Sequence, residues 1–419
     1  MTVISPLAVN SDRLNRSIAN LAEIGKLPNS GVRRLAYSQE DLQARQLVQG
    51  WMIKAGMTVL IDAAGNIIGT YPGQQQAPAL ATGSHIDTVP SGGRYDGVLG
   101  VLAGIEAVRV LHENRIALTH PVEVIVFADE EGTMIGAKGM SGSVVKDPEY
   151  YSRRDRASIQ TCLQLIGGNW DKIATAKRTR SDIAAYVELH VEQGGVLESL
   201  GREIGVVEGI VSQHRYKITI TGCPNHAGTT PMHQRQDALV AGAQVILAVN
   251  DLAKNTPGQQ VATVGALNVF PNAANIVPGR VEMTVDIRDL SQTHVERIAA
   301  QLEERLKAIA SATQTEIAIA PFLQTIPTLA TPQIQQAIVQ ACLSLKLTHC
   351  TMPSRASHDA QEIGHFTDMG MIFVPSKAGI SHAENEYTSP EQCTQGANVL
   401  LQTLLHLDQI YTARSRFPS

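Results

Sequence analysis

Aromatic residues are scarce in this chain. Six phenylalanines, two tryptophans and nine tyrosines make up 4% of 419 residues, which leaves few rings for the bases of a single-stranded nucleic acid to stack on. Positive charge is also thin: 34 Lys and Arg stand against 39 Asp and Glu, a formal net charge of −5, with no basic block. Phosphate neutralisation, the main source of nucleic-acid affinity, therefore has no footprint. The five cysteines (Cys162, Cys223, Cys342, Cys350, Cys393) are scattered and show no Cys-x-x-Cys spacing. Neither a disulfide framework nor a thiolate zinc site follows from them. No apolar run has the length of a membrane span, since GVLGVLAGIEAV (97–108) is short and broken by Gly104 and Glu106. The opening MTVISPLAVNSDRLNRS lacks the basic-then-apolar order of a secretory signal. These absences predict a cytoplasmic protein with no nucleic-acid and no membrane partner.

What is present is an ordinary globular composition, 43% hydrophobic and 17% charged, at a length that suits two or three domains. Helices are predicted at 11–25 and 38–56, the second with Ser38 as cap and Glu40 and Asp41 in its first turn. Short apolar runs at 57–61, 66–70 and 79–83 read as strands. A helix over 97–113 follows, then the buried strand of PVEVIVFADEEG and the strand IAAYVELH. Strands alternating with helices predict an α/β layer on a mostly parallel sheet. From His214 the pattern changes to strand, helix (234–253), strands at 261–270 and 279–288, helix (291–312) and strand (314–320), the order of a ferredoxin-like sandwich. A helix at 332–346 and a strand in IFVPSKAG then return to the first sheet. The expected organisation is one α/β domain, 1–211 and 329–419, interrupted by an α+β insert at 212–328.

Four segments join histidine and acids at the end of an apolar strand. GSHIDTVPSGGRYDG (83–97) carries His85, Asp87 and Asp96, and its glycines allow the chain to fold Asp96 back toward His85. Asp87 is spaced to orient the His85 ring, as the partner behind a metal-bound histidine does. FADEEG (127–132) crowds Asp129, Glu130 and Glu131, whose mutual repulsion a divalent cation would relieve. ELHVEQGG (188–195) places His190 near Glu188, Glu192 and Gln193, and SKAGISHAENEYT (376–388) places His382 in a loop. Imidazoles and carboxylates without thiolates suit zinc, manganese, cobalt or nickel. In open α/β sheets, ligands gather at such strand ends.

At these segments the chain resembles the amidase/carbamoylase branch of the M20 metallopeptidase family, from RLAYSQEDLQAR (34–45) to ISHAENEYTSPEQC (380–393), with GSHIDTVPSGGRYDG, ELHVEQG, HAGTTPM and GISH in order. The branch contains N-carbamoyl-L-amino acid hydrolases, allantoate and ureidoglycolate amidohydrolases and β-ureidopropionase. The resemblance implies a zinc-peptidase-like catalytic domain with an inserted dimerisation or lid domain, and two divalent metal ions per subunit. His85 and His190 would hold one metal, Glu131 and His382 the other, with Asp96 bridging and Asp87 orienting His85. Glu130 would be the general base, and Gln193 a substrate contact. In the insert, His226 of NHAGTTPM (225–232) would stabilise the transition state from the partner subunit of a homodimer. Asn275 of FPNAANIVPG and Arg288 of VDIRD would grip a substrate carboxylate, a task that suits a guanidinium.

The implied reaction is hydrolysis of the carbamoyl C–N bond of an N-carbamoyl amino acid or a ureido acid such as allantoate, releasing ammonia and carbon dioxide. A dipeptidase or aminoacylase of the same family is the nearest alternative; those usually carry a carboxylate where this chain has His190. A catalytically inactive binding protein of the same fold is the alternative of another class. One stretch departs from the branch: GTMIGAKGMSGS (132–143) stands where many members have Gly-x-Arg-Phe followed by Gly-Ser.

Overall fold

A computed structural model describes residues 7–151 and 157–416; residues 1–6, which begin the segment read for a signal, lie outside it. The chain divides into two compact units, one running to Gly209 and again from Leu329, the other Ile210–Thr328.

The first unit is built on a sheet of nine strands among the described residues. Its centre is parallel: Val122–Phe127, Ala79–His85, Ile183–Val191 and Asp368–Val374 lie side by side in that order. These four are buried along their whole length, which is why they read as continuous apolar runs rather than alternating ones. The flanks are antiparallel, with Ile67–Tyr71 beyond one side and Ile204–Ile210 beyond the other. The sheet is therefore mixed rather than mostly parallel. Local hydrophobic pattern tells a strand from a helix but not which way an edge strand runs.

Val98–Glu113 is apolar on nearly every face and almost wholly buried, as a helix hydrophobic all round must be. It packs on Ala79–His85 and under Pro390–Arg416. Glycine allows the approach: a β-carbon at Gly100 would lie 2.3 Å from the Leu189 carbonyl oxygen. Among the described residues, no helix is long and apolar enough to cross a membrane. The helix predicted over 38–56 runs Gln39–Lys54, with the Ser38 side chain accepting from Asp41 N–H.

The second unit is an antiparallel four-stranded sheet in the order Glu316–Gln324, Ser212–Thr221, Arg280–Asp289, Val261–Phe270. Ala238–Asn255 and Gln292–Thr313 cover one face. Ile218, Ile220, Val281, Met283, Val285 and Ile287 point into that core, and Arg215, Lys217, Glu282, Asp286 and Arg288 occupy the opposite face. Strand-helix-strand-strand-helix-strand is the ferredoxin-like order.

Candidate metal centre

Parallel strands share a polarity, so their C-terminal ends collect at one edge of the sheet. His85 ends its strand opposite Phe127, the last residue of the neighbouring strand. His190 pairs with Phe373, one residue before the end of Asp368–Val374. Register therefore brings His85, the acidic run after Phe127, His190 and the loop carrying His382 to one place. The same loops hold backbone strain: φ is 57° at Asp129, 58° at Gln193 and 53° at His382, a region that a β-carbon disfavours.

Asp96 lies at the middle. Its Oδ1 is 3.1 Å from His190 Nε2 and 3.9 Å from His85 Nε2, while its Oδ2 is 3.3 Å from His382 Nε2. Glu131 Oε1 lies 3.6 Å from that same His382 nitrogen, and Glu130 Oε2 lies 3.6 Å from His85 Nε2. Two donor triads result, His85/Asp96/His190 and Asp96/Glu131/His382, each with ligand atoms within 4.8 Å of one another. Asp96 belongs to both and turns a different oxygen to each. Glu130 belongs to neither.

The rings are fixed from behind. His85 Nδ1 donates to the Asp87 backbone carbonyl at 3.0 Å, and His190 Nδ1 to that of Val191 at 2.8 Å. A carbonyl only accepts, so Nδ1 keeps its proton and Nε2 faces the centre. The Asp87 carboxylate, expected from its spacing to make the first contact, instead lies 3.8 Å away and accepts from the Glu131 N–H at 3.2 Å. The turn after His85 aims the residue-87 carbonyl at the ring, which frees the carboxylate to hold the acidic loop.

Charge in this cluster is unbalanced. Burial pushes Glu130 well above the usual carboxylate range, with Asp359, Glu131, Asp87 and Asp96 adding to it. Burial and then Asp96 push Glu131 up to about 7. Burial would raise Asp96 as well, but hydrogen bonds to His190 and His382 outweigh it and hold Asp96 well below that range. The same Asp96 contact lifts His382 to about 9; against its own burial, it lifts His190 to about 9. Buried His85 falls to about 4. Crowded carboxylates that share protons with imidazoles are a site where a divalent cation replaces those protons. The donors are nitrogen and oxygen only, and a β-carbon at Gly97 (φ 66°) would lie 2.4 Å from His85 Nε2, so glycine keeps that nitrogen approachable. The residues fit a divalent metal.

Gln193 reaches across the centre: its Nε2 donates to Asp96 Oδ2 at 2.9 Å and lies 3.3 Å from His382 Nε2, while its buried Oε1 has no hydrogen-bond partner. Sequence reasoning passed over three neighbours. His358 stacks edge-on against His190 at 4.4 Å between centroids, with Ser354 Oγ 2.9 Å from its Nε2. Asp359 is fully buried, and neither of its carboxylate oxygens has a hydrogen-bond partner. Glu386 accepts from the backbone of Tyr95 and Asp96. The first two follow the strand His349–Ser354, in SRASHDA (354–360); its sequence HCTMPS is not an apolar run, so the strand-end pattern that flagged the other histidines does not reach them. Glu188 also groups with His190 and His358. Its oxygens already accept from Ser84 Oγ, Tyr186 OH and Ala360 N–H at 2.8, 3.1 and 3.0 Å, which makes it a support beneath the site.

In the second unit, His226 and Asn275 come together. Asn225–His226 pairs with Ile276–Val277, and Ala227 N–H donates to the Asn275 carbonyl at 2.9 Å. The His226 Nδ1 accepts from Gly228 and Thr229 N–H, both at 3.1 Å, so its Nε2 carries the outward proton. Arg288 is elsewhere. It pairs with Gln213, whereas Arg280, at the His226 end, pairs with Thr221. Eight positions of extended strand separate the two ends, roughly 27 Å at ~3.4 Å per residue. Arg288 Nε and Nη2 donate to the two Asp286 oxygens at 3.1 and 2.9 Å, and Arg215 donates to the same carboxylate at 2.9 Å.

Comparison with known proteins gives the chain a family. The model of peptidase family M20/M25/M40 matches residues 81–406. An N-carbamoyl-L-amino acid amidohydrolase of Geobacillus stearothermophilus is 38% identical over 409 residues, covering 96% of this chain and 99% of that protein. The allantoate amidohydrolase of Bacillus subtilis is 35% identical, covering 92% and 95%. A crystal structure of a hydantoinase/carbamoylase-family amidase from Burkholderia multivorans superposes with a TM-score of 0.90 at 36% identity, covering 96% of this chain and 98% of that one. The strand-end cluster thus sits in a shared framework, and this chain belongs to peptidase family M20/M25/M40, in its amidase/carbamoylase branch.

Proposed function

We propose that the protein is a two-metal amidohydrolase that cleaves the carbamoyl C–N bond of an N-carbamoyl-L-amino acid or a related ureido acid such as allantoate, with release of ammonia and carbon dioxide. The observation that carries this reading is the sharing of Asp96 between two donor triads, with Glu130 beside them and in neither. His85, Asp96 and His190 would hold one divalent ion, and Asp96, Glu131 and His382 the other, zinc, manganese, cobalt and nickel all being compatible with the donors. Such ions, when bound, supply a Lewis acid for the ureido carbonyl and acidify water.

The chain supplies the rest. Glu130 takes a proton from the attacking water and returns it to the leaving nitrogen, a role helped by a carboxyl that burial holds well above the usual carboxylate range. Gln193 turns its unpartnered Oε1 to the ureido N–H groups. Arg288, its guanidinium plane braced by Asp286, takes the substrate carboxylate bidentately. His226 offers Nε2–H to the developing oxyanion, where a preorganised donor is worth most. Its separation from Arg288 within one chain favours a homodimer in which His226 and Asn275 serve the partner's site. We place the enzyme in the cytoplasm.

The relatives' names support the substrate class. The test is a panel of N-carbamoyl-L-amino acids, N-carbamoyl-β-alanine, allantoate, ureidoglycolate and dipeptides, assayed after chelator treatment and reloading with manganese, cobalt or zinc. Ammonia release from ureido acids, abolished by chelator, is the expected result. Turnover confined to dipeptides would transfer the site to peptidase chemistry, and metal-loaded protein inert on the whole panel would make it a binding protein.

A further inference from the structure

Glu386 has no part in the chemistry above, yet it is 5% exposed in a polar loop and joins the two chain segments that meet at the centre. Its Oε1 accepts from the N–H groups of Tyr95 and Asp96, each at 3.1 Å. Its Oε2 lies 3.3 Å from Ser381 Oγ, and that hydroxyl is also 3.3 Å from Asp96 Oδ2. The carboxylate therefore grips the backbone of the residue common to both triads and the neighbour of His382.

That grip falls at the most exposed of the donors. His382 is the one donor of the five that is half exposed, at 51%, and its φ of 53° is unfavourable for a side chain with a β-carbon. The base of its loop is closed by Lys377 N–H to the Tyr387 carbonyl and by Thr388 Oγ1 to the Pro375 carbonyl. Neither contact reaches the tip. Space for the carboxylate is reserved by Gly93, where a β-carbon would lie 2.2 Å from Glu386 Oε1. His85 and His190, by contrast, project from buried strands and are braced by their own backbone carbonyls.

We infer that Glu386 is a positioning residue that sets the spacing of Asp96 and His382, and so governs the affinity of the Asp96/Glu131/His382 position while leaving the His85/Asp96/His190 position nearly untouched. The inference rests on the reading of those two triads as metal positions. It is tested by titrating manganese, and separately zinc, into metal-stripped full-length protein by calorimetry. Wild type takes up two equivalents. Glu386→Ala and Glu386→Asp, the latter pulling the carboxylate back by one methylene, should weaken one equivalent by about 10- to 100-fold, the range for partners that orient metal ligands, with the other within about threefold. Glu386→Gln keeps an oxygen for the two N–H groups and an amide for Ser381 Oγ, so it should restore the weakened equivalent. A lower melting temperature with both affinities intact, or equal weakening of both, overturns the inference and leaves Glu386 a structural residue. If wild type fails to bind two equivalents, the two-metal reading has failed instead, and the two failures are told apart by the wild-type titration alone.

Discussion

Glu130 and Glu131 are adjacent in sequence but part company in space: Glu131 Oε1 faces His382, whereas Glu130 Oε2 faces His85 from outside both triads. Glu130→Gln should therefore bind metal as wild type does while activity falls by at least ~10²–10⁴, the usual contribution of a general base. His85→Ala should instead lower metal content, measured by atomic absorption after gel filtration. At Arg288 the guanidinium is held in plane by Asp286 through two hydrogen bonds. Arg288→Lys keeps the charge but not the fork, so KM for ureido acids should rise about tenfold or more with metal content unchanged; an unaltered KM returns Arg288 to the sheet surface. His85, His190 and the acids after Phe127 are legible in sequence because they end or directly follow apolar runs, and strand ends are where an α/β sheet gathers its ligands, whereas Asp96 and His382 lie in loops beyond such ends. The contact from Asp87 to His85 is not legible, because a backbone carbonyl makes it and any residue type would supply that atom.

Between elements, the end of the atypical 132–143 stretch is held by a carboxylate. Ile135–Ser141 and Asp359–Ile363 pack together, and just inside that contact Glu362 Oε2 accepts from Ser141 Oγ at 2.8 Å and Ser143 Oγ at 2.6 Å, with His365 Nδ1 at 3.6 Å. Burial alone would raise Glu362, but these hydrogen bonds outweigh it and lower the carboxyl from 4.5 to about 2. A lowered carboxylate stabilises the fold above its unfolded value, and that stability is lost as pH falls through the folded one. Urea unfolding of wild type should therefore weaken from about pH 4.5 down toward pH 2, and Glu362→Gln should flatten that window while lowering stability at pH 7. Parallel slopes for the two proteins would contradict the assignment. Most of the long helices and the strands Ala79–His85, Val122–Phe127 and Ile183–Val191 were readable from periodicity to within a few residues, but the strand expected in IFVPSKAG (372–379) runs Asp368–Val374. The antiparallel flanks were not, since strand direction is set by long-range pairing. The 27-residue helix Pro390–Arg416, unassigned by the sequence reading, opens on the Ser-Pro that follows the His382 loop, a start signal easily lost among loop residues.

The insert is where the whole molecule exceeds its sequence. A change from continuous apolar strands to alternating ones marks its start, but only register shows that His226 and Asn275 lie at one end of its sheet and Arg288 at the other. A substrate the size of an amino acid cannot span roughly 27 Å of strand, so one chain's His226 and Arg288 are proposed to serve different sites in a dimer. Inactive His226→Ala and inactive Glu130→Gln proteins, dissociated and reassociated together, should regain about a quarter of wild-type activity, since roughly half of randomly assembled dimers are mixed and each has one intact site. No recovery despite proven subunit exchange would return His226 to its own chain. The central claim is that Asp96 joins two metal positions beside a separate base, in an enzyme for ureido acids. Its most direct test is to titrate manganese into metal-stripped wild type and Glu130→Gln while following bound metal and ammonia release from an N-carbamoyl-L-amino acid. The account predicts two equivalents bound by both proteins, with ammonia release rising to a plateau at the second equivalent in wild type and absent in Glu130→Gln. Full ammonia release before any metal is added, or Glu130→Gln turning over within tenfold of wild type, would contradict it.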